Sequence, residues 1–413
     1  MISDSLAKPI SKVATKSFSH MSNSKKPSIQ LIFHNHWEEF LTHPDVIKNG
    51  MRPIVPIEVE KMLSCGTIDA GFEIYECPNC HKSHIICYTC KSRFCNSCGT
   101  KQAKIRAQEI TEHTLDVSHR HMVFTIDESL RYYFKKDRPL LKALFDAVKD
   151  TLVYVFDNMN GKDKTFRPGF ILTLHTFGRD LKWNPHIHCL CTEGGMDDDG
   201  KYKSIKYISY ESLRKSFMKQ LTQHMKDFYQ DNPATLKELK KVINDIYKEK
   251  KNGFYVNAPK PKSKKGKDSI VSYMIRYTGR PVMASSRIIS YDRENKIIKY
   301  YYEDHKTEER VEVTEHVLKF MGKLITHIPE AQFKMIRYYG LYATCNHIHK
   351  SKVKEKMREA LNRKKTENDR HTYRKDLIDI FGTDPLLCDC GHYMEYIDYW
   401  VPEARRNHDE ELP

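Results

Sequence analysis

The chain has 413 residues, enough for two or three domains and a sizeable core. Its 69 Lys and Arg against 54 Asp and Glu leave a charge of +15. That balance suits a polyanion bound through counterion release, the plain alternative being a basic protein without such a partner. No apolar run approaches a membrane span and the first 28 residues lack an apolar signal core, so neither a membrane nor a secreted protein is expected.

Residues 1–28, rich in Ser and Lys, read as a disordered basic leader. Two helical patterns follow, IQLIFHNHWEEFLTHPDVI and PIEVEKMLSC, the second opened by Pro56. Six of the twelve cysteines then fall within residues 77–98, which in a chain without a signal peptide points to a metal and a reducing cytoplasm. They form three CxxC pairs, Cys77/Cys80, Cys87/Cys90 and Cys95/Cys98. Each pair can aim two thiolates at one tetrahedral ion, so a structural zinc is expected. The expected set is Cys77, Cys80, Cys95 and Cys98 with Cys90 competing, while His84, Cys87 and Cys65 could complete a second ion. A basic helix, TKQAKIRAQEITEHTLD, closes this segment, and Lys91, Arg93, Lys101, Lys104 and Arg106 are either DNA contacts or an ordinary solvated face.

From residue 119 the pattern becomes α+β. HRHMVFTID reads as a strand, DRPLLKALFDAVKDTLVYVFDNM as a helix, and PGFILTLHT and NPHIHCLCTEGG as two strands joined through FGRD. ESLRKSFMKQLTQHMKDFY is a helix and NGFYVNA a short strand. This β-α-β-β-α-β succession is that of a ferredoxin-like antiparallel sheet, with first and third strands adjacent, the second beside the third, helices on one face and the other face open. On the third strand His186 and His188 project to one side, Ile187 and Cys189 to the other. The pair is either solvated polar surface or two ligands awaiting a third. His175, on the hairpin partner, is the favoured third and His121, on the other neighbour, the alternative.

After the basic loop PKPKSKKGKDS, SIVSYMIRYTGRP reads as a short helix stopped by Gly279 and Pro281. Tyr273 and Tyr277 share one face of it, as core aromatics or as nucleophiles towards phosphorus. Arg276, Arg280 and Arg287 suit a phosphate backbone. A hairpin with REN as its turn (SSRIISYDRENKIIKYYYED) and a helix (EHVLKFMGKLITHI) follow, then a strongly charged helical stretch and an acidic tail. Cys388 and Cys390, with Cys345, His347 and His349 upstream, are expected to be free cysteines and surface histidines. The expected segments are thus 1–28, a helical zinc-binding domain at 29–115, a catalytic domain at 116–345 and a charged helical region at 346–413.

HMVFTID, LHTFGRDLKWNPHIHCLCTEGG, YMIRYTGRPVMASSRI and IRYYGLYA, in that order, resemble the two-tyrosine rolling-circle transposases of the insertion-sequence 91 type. CGTIDAGFEIYECPNC through SRFCNSC is similar to that family's N-terminal zinc-binding domain. The resemblance implies an HUH-class nuclease with His186 and His188 as ligands of magnesium or manganese and Tyr273 and Tyr277 as nucleophiles. It implies cutting of single-stranded transposon ends that carry hairpins, a 5′-phosphotyrosine, transfer to target DNA and a bacterial, nucleoid-associated location in the cytoplasm. The chain departs from the family pattern where CNSC stands for CPxC, RFC for RHC and WNPH for HPH, which excludes a histidine ligand at Phe94. A replication initiator or relaxase would use the same chemistry; a non-catalytic zinc protein that binds DNA would need neither the histidine nor the tyrosine pair.

Overall fold

In a computed structural model, residues 27–112, 114–160, 166–197, 199–205, 207–259, 281–304, 307–343, 374–375, 378, 382 and 384–402 are described. In chain order the helices are α1 (Ile29–Leu41), α2 (Pro44–Asn49), α3 (Ile54–Leu63), α4 (Asn96–Glu112), α5 (Arg131–Lys136), α6 (Leu141–Asn160), α7 (Tyr210–Phe228), α8 (Pro233–Glu249) and α9 (Val317–Ile325). The strands are β1 (Phe72–Glu76), β2 (Ser83–Cys87), β3 (His119–Thr125), β4 (Gly169–Phe177), β5 (Trp183–Thr192), β6 (Gly194–Met196), β7 (Tyr202–Ser204), β8 (Val256–Asn257), β9 (Ile288–Asp292), β10 (Ile297–Glu303), β11 (Arg310–His316), β12 (Ile336–Gly340) and β13 (Glu395–Trp400). They belong to two compact units, one comprising the described residues of 106–278 and 329–368, the other those of 1–105, 279–328 and 369–413.

The first unit is built on a five-stranded sheet of order β12-β4-β5-β3-β8. Every neighbouring pair is antiparallel. β3 and β5 are therefore adjacent and β4 pairs with β5, as the alternating patterns require, while β12 extends the edge. Alternation along the strands separates two faces. Phe124, Leu172, Leu174, Ile187 and Cys189 turn towards α6, α7 and α8 and are fully or almost fully buried. Each such apolar side chain contributes about 1.5–3 kcal/mol over an exposed one.

α8 is a helix that the strand-and-helix succession above does not contain. Its signals are local: Asn232 caps it by accepting from the Thr235 N–H at 3.1 Å, Pro233 opens it, and Leu239, Ile243 and Ile246 form its buried stripe. The face opposite the helices is also only half open. Ala107 and Ile110 of α4, with Leu115, Leu341 and Tyr342, pack over Ile171 and Leu190 at one end of it. The apolar residues of that face lie at this end, and the histidines at the other are left uncovered by this cluster.

The second unit holds two three-stranded sheets, β13-β1-β2 and β11-β10-β9. The expected 290s hairpin thus gains a third strand, β11. Phe33 and Phe94 meet edge to face with ring centres 5.5 Å apart, and Arg52 donates to the carbonyls of Ile325 and Ile328 at 3.0 and 2.8 Å. Residues 279–328 group here, away from the consecutive 116–345 segment expected, because the Tyr291 hydroxyl meets His36 Nε2 at 2.8 Å and Lys296 pairs with Glu39 at 2.6 Å. Among the described residues no helix is long and apolar enough to cross a membrane.

Candidate metal centre

The histidine strand is shaped by the proline that precedes it. His175 pairs with His186, but Phe177 pairs with Trp183, so β5 carries one extra residue around Asn184 and Pro185. Pro185 has no N–H for the ladder, and a bulge is where a strand tolerates it. Beyond the bulge His186 and His188 regain regular register, opposite Thr125 and Val123 on β3 and opposite His175 and Thr173 on β4.

Three imidazoles converge there. One ring nitrogen from each of His175, His186 and His188 lies within 4.8 Å of the others. The ring centres of His175 and His188 are 4.5 Å apart and those of His186 and His188 4.9 Å. His186 Nδ1 donates to the Asn184 carbonyl at 2.7 Å, which leaves Nε2 as the ligand atom. Phe177 stacks on His175 at 5.4 Å. Burial pushes His188 well below the usual imidazole range, and repulsion from His175, His186 and His121 acts the same way. Imidazoles gathered on one sheet face fit a divalent cation with positions left over for oxygens. His121 stands outside this triad, and its Nε2 meets His188 Nδ1 at 3.0 Å.

The cysteines do not form the set expected around Cys77, Cys80, Cys95 and Cys98. Cys65, Cys90, Cys95 and Cys98 make one cluster and Cys77, Cys80, Cys388 and Cys390 another. β1 ends at Glu76, immediately before Cys77, and β2 separates Cys77 and Cys80 from Cys90, so the first knuckle lies at the β1–β2 turn, at one end of that sheet. Cys65, at the end of α3, completes the other site instead: its Sγ is 3.5 Å from Cys98 and accepts the Cys90 N–H at 3.3 Å. Cys98 and Cys95 are held below the ordinary thiol range, by hydrogen bonds from Cys65 first and then Cys90, while Cys90 is pushed up by the same contacts, Cys65 first. Four sulfurs that all lie within 4.8 Å of one another fit a cation in place of the thiol protons. Cys87 and His84 belong to neither cluster; they lie on β2 opposite Phe72 and Tyr75. Only Cys388 and Cys390 escaped the spacing argument, since a CxC pair at the far end of the chain has no partner legible nearby.

Tyr273, Tyr277, Arg276 and Arg280 lie outside the described residues. Arg287 is described, in the second unit, where its Nε donates to the Tyr301 carbonyl at 2.8 Å. Of the basic residues after the knuckles, Lys91 is exposed and Lys101, Lys104 and Arg106 are half-buried.

Residues 169–374 match a family model described as a putative transposase, and residues 32–126 one described as a transposase zinc-binding domain. Cys388 and Cys390 lie beyond both. The transposase for insertion sequence element IS801 of Pseudomonas savastanoi pv. phaseolicola is 31% identical over 308 residues, 72% of each chain. The putative transposase y4qJ of Sinorhizobium fredii is 25% identical over 332 residues, 76% of this chain and 80% of its own. No solved structure matches the chain. A cysteine-rich zinc-binding region followed by a mixed helix-and-sheet unit is the composition of a DNA-mobilising protein of this kind. The chain belongs to the insertion-sequence 91 family of transposases, with an N-terminal zinc-binding domain.

Proposed function

We propose that this transposase is an HUH-class nuclease that mobilises DNA by rolling-circle transposition, its β3–β5 sheet being the ferredoxin-like core of that class. The observation that carries the reading is the convergence of His175, His186 and His188 on one sheet face. These three would hold magnesium or manganese, which when bound polarises a phosphodiester and stabilises the leaving oxygen. Imidazoles alone do not select those ions over zinc, so availability decides between them.

The remaining work belongs to the chain. The hydroxyl of Tyr273 or Tyr277 attacks the scissile phosphorus of single-stranded DNA at a hairpin-bearing transposon end. The tyrosyl oxygen–phosphorus bond forms as the bond to the 3′ oxygen breaks, and the tyrosine proton ends on the freed 3′ hydroxyl. The 5′-phosphotyrosine conserves the bond, so a second tyrosine can cut target DNA and strands can be exchanged without external energy. Arg276, Arg280 and Arg287 would hold backbone phosphates. His121 fixes the ring of His188, and a structural zinc at Cys65, Cys90, Cys95 and Cys98 holds the N-terminal domain.

The test mixes the protein with manganese and labelled single-stranded DNA carrying the element's ends. A protein–DNA adduct that survives denaturation is expected, absent in the Tyr273→Phe/Tyr277→Phe variant and in His186→Ala. A metal-loaded protein that forms no adduct on any end sequence would overturn the nuclease reading and leave a zinc-dependent DNA binder.

A further inference from the structure

The second cysteine cluster joins the two extremes of the chain. Cys77 Sγ lies 3.4 Å from Cys390 Sγ and Cys80 Sγ 3.5 Å from Cys388 Sγ, although more than 300 residues separate each pair. All four sulfurs lie within 4.8 Å of one another. Sulfurs of a tetrahedral tetrathiolate at a metal–sulfur distance of 2.3 Å stand about 3.8 Å apart, whereas a disulfide needs about 2 Å. The spacing is therefore that of four ligands around one ion.

Both halves are preformed as metal knuckles. The residue after the second cysteine takes the left-handed conformation in each, His81 at φ 55° and Gly391 at φ 87°. The His81 N–H returns to the Cys77 carbonyl at 2.9 Å, and the Gly391 N–H to the Cys388 carbonyl at 2.9 Å. These tight turns aim both thiols of a pair the same way.

What the ion would do follows from the strand attached to it. β13 pairs antiparallel with β1 from Phe72–Trp400 to Glu76–Glu395 and completes that sheet. Yet Tyr396, Ile397 and Tyr399 are each more than half exposed, and the aromatic contacts of the strand are Trp400 on Phe72 and Tyr396 against Tyr75. An edge strand that buries so little apolar surface gains little from docking, and a long intervening chain opposes its return entropically. The Lys82–Asp389 ion pair beside the knuckles is solvent-exposed and adds little.

We propose that Cys77, Cys80, Cys388 and Cys390 bind a second structural zinc, which clamps the C-terminal strand β13 onto the N-terminal zinc domain. This ion is the more labile of the two. Cys80 and Cys390 are exposed, whereas three of the four thiols of the other cluster are buried. A chelator or a thiol-directed oxidant reaches the clamp first and frees the C-terminal segment while the Cys65 site still holds its ion.

The test counts thiolate-bound zinc per full-length chain, as the zinc released by a mercurial reagent that reacts with cysteine thiolates. Two ions are expected in the wild type, and one in Cys388→Ser/Cys390→Ser and in Cys77→Ser/Cys80→Ser. One ion in the wild type, or two retained in Cys388→Ser/Cys390→Ser, overturns the proposal. If the serine variants do not fold, hydrogen exchange on wild-type protein during stepwise chelation decides. Loss of the first ion should deprotect residues 72–76 and 395–400 together and spare residues 29–41. First-ion loss that leaves those strands protected overturns the clamp.

Discussion

His121 Nε2 stands 3.0 Å from His188 Nδ1, with the two rings stacked at 5.2 Å. The contact ties the His188 ring to β3, through a residue outside the triad of His175, His186 and His188. A residue that holds a ligand without being one weakens metal binding when removed. His121→Ala should lower manganese affinity and adduct formation about 10–100-fold, and raising the manganese concentration should restore part of the loss. Titration of adduct yield against manganese reads this directly; an unchanged curve would remove His121 from the site.

On the proposed reading, the three histidines of the triad should behave differently. His175→Ala, His186→Ala and His188→Ala should each cut adduct formation on the order of 100-fold or more, with no rescue by added metal. Manganese binding measured by calorimetry should fall in parallel. If His175→Ala binds manganese as the wild type does, the third ligand lies elsewhere and the triad reading fails.

A half-buried histidine makes the sheet acid-sensitive. His119 Nδ1 donates to the Val117 carbonyl at 2.8 Å, and its Nε2 accepts from the Tyr342 hydroxyl at 2.6 Å. Burial lowers it from 6.5 to about 4. Because the folded value is depressed, this contribution to stability is complete above pH 6.5 and is lost progressively as pH falls towards 4. The loss at pH 5 is about 2 kcal/mol, on the basis of about 1.4 kcal/mol per unit. Denaturant melts at pH 7 and pH 5 should show a smaller pH effect in His119→Gln than in the wild type. An identical difference in both proteins would contradict the assignment.

Behind the histidines the sheet rests on a packed core. Ile187 is fully buried between His186 and His188 on the opposite face, and Phe124, its partner across β3, meets Phe217 edge to face at 5.2 Å. Ile187→Ala should cost about 2–5 kcal/mol through lost burial and the cavity left behind. Thermal melts should show that drop, whereas Ile187→Val should cost only about 0.5–1.5 kcal/mol. An Ile187→Ala protein as stable as the wild type would mean that the helix face is not packed as described.

Local chemistry made much of this protein legible in the sequence. Period-two alternation announced β3, β4 and β5, because a strand with one buried face must repeat every two residues, and His186 and His188 fell on the side away from Ile187 and Cys189. Paired cysteines announced metal sites, because two thiols three residues apart suit one ion. Helix α8 is equally local in its signals, an Asn-Pro start and an apolar stripe.

Other relationships are not local, and only the tertiary structure decided them. Which cysteines share an ion depends on where α3 ends and on β13 returning to β1, contacts that no spacing encodes. The partition of His175 into the triad and His121 behind His188 depends on which edge of β5 each strand occupies and on how the rings turn. The half-covered sheet face depends on where α4 packs. A chain specifies its elements through neighbours a few residues apart; it brings candidate ligands together through neighbours that meet only after folding, and there the sequence alone left alternatives open.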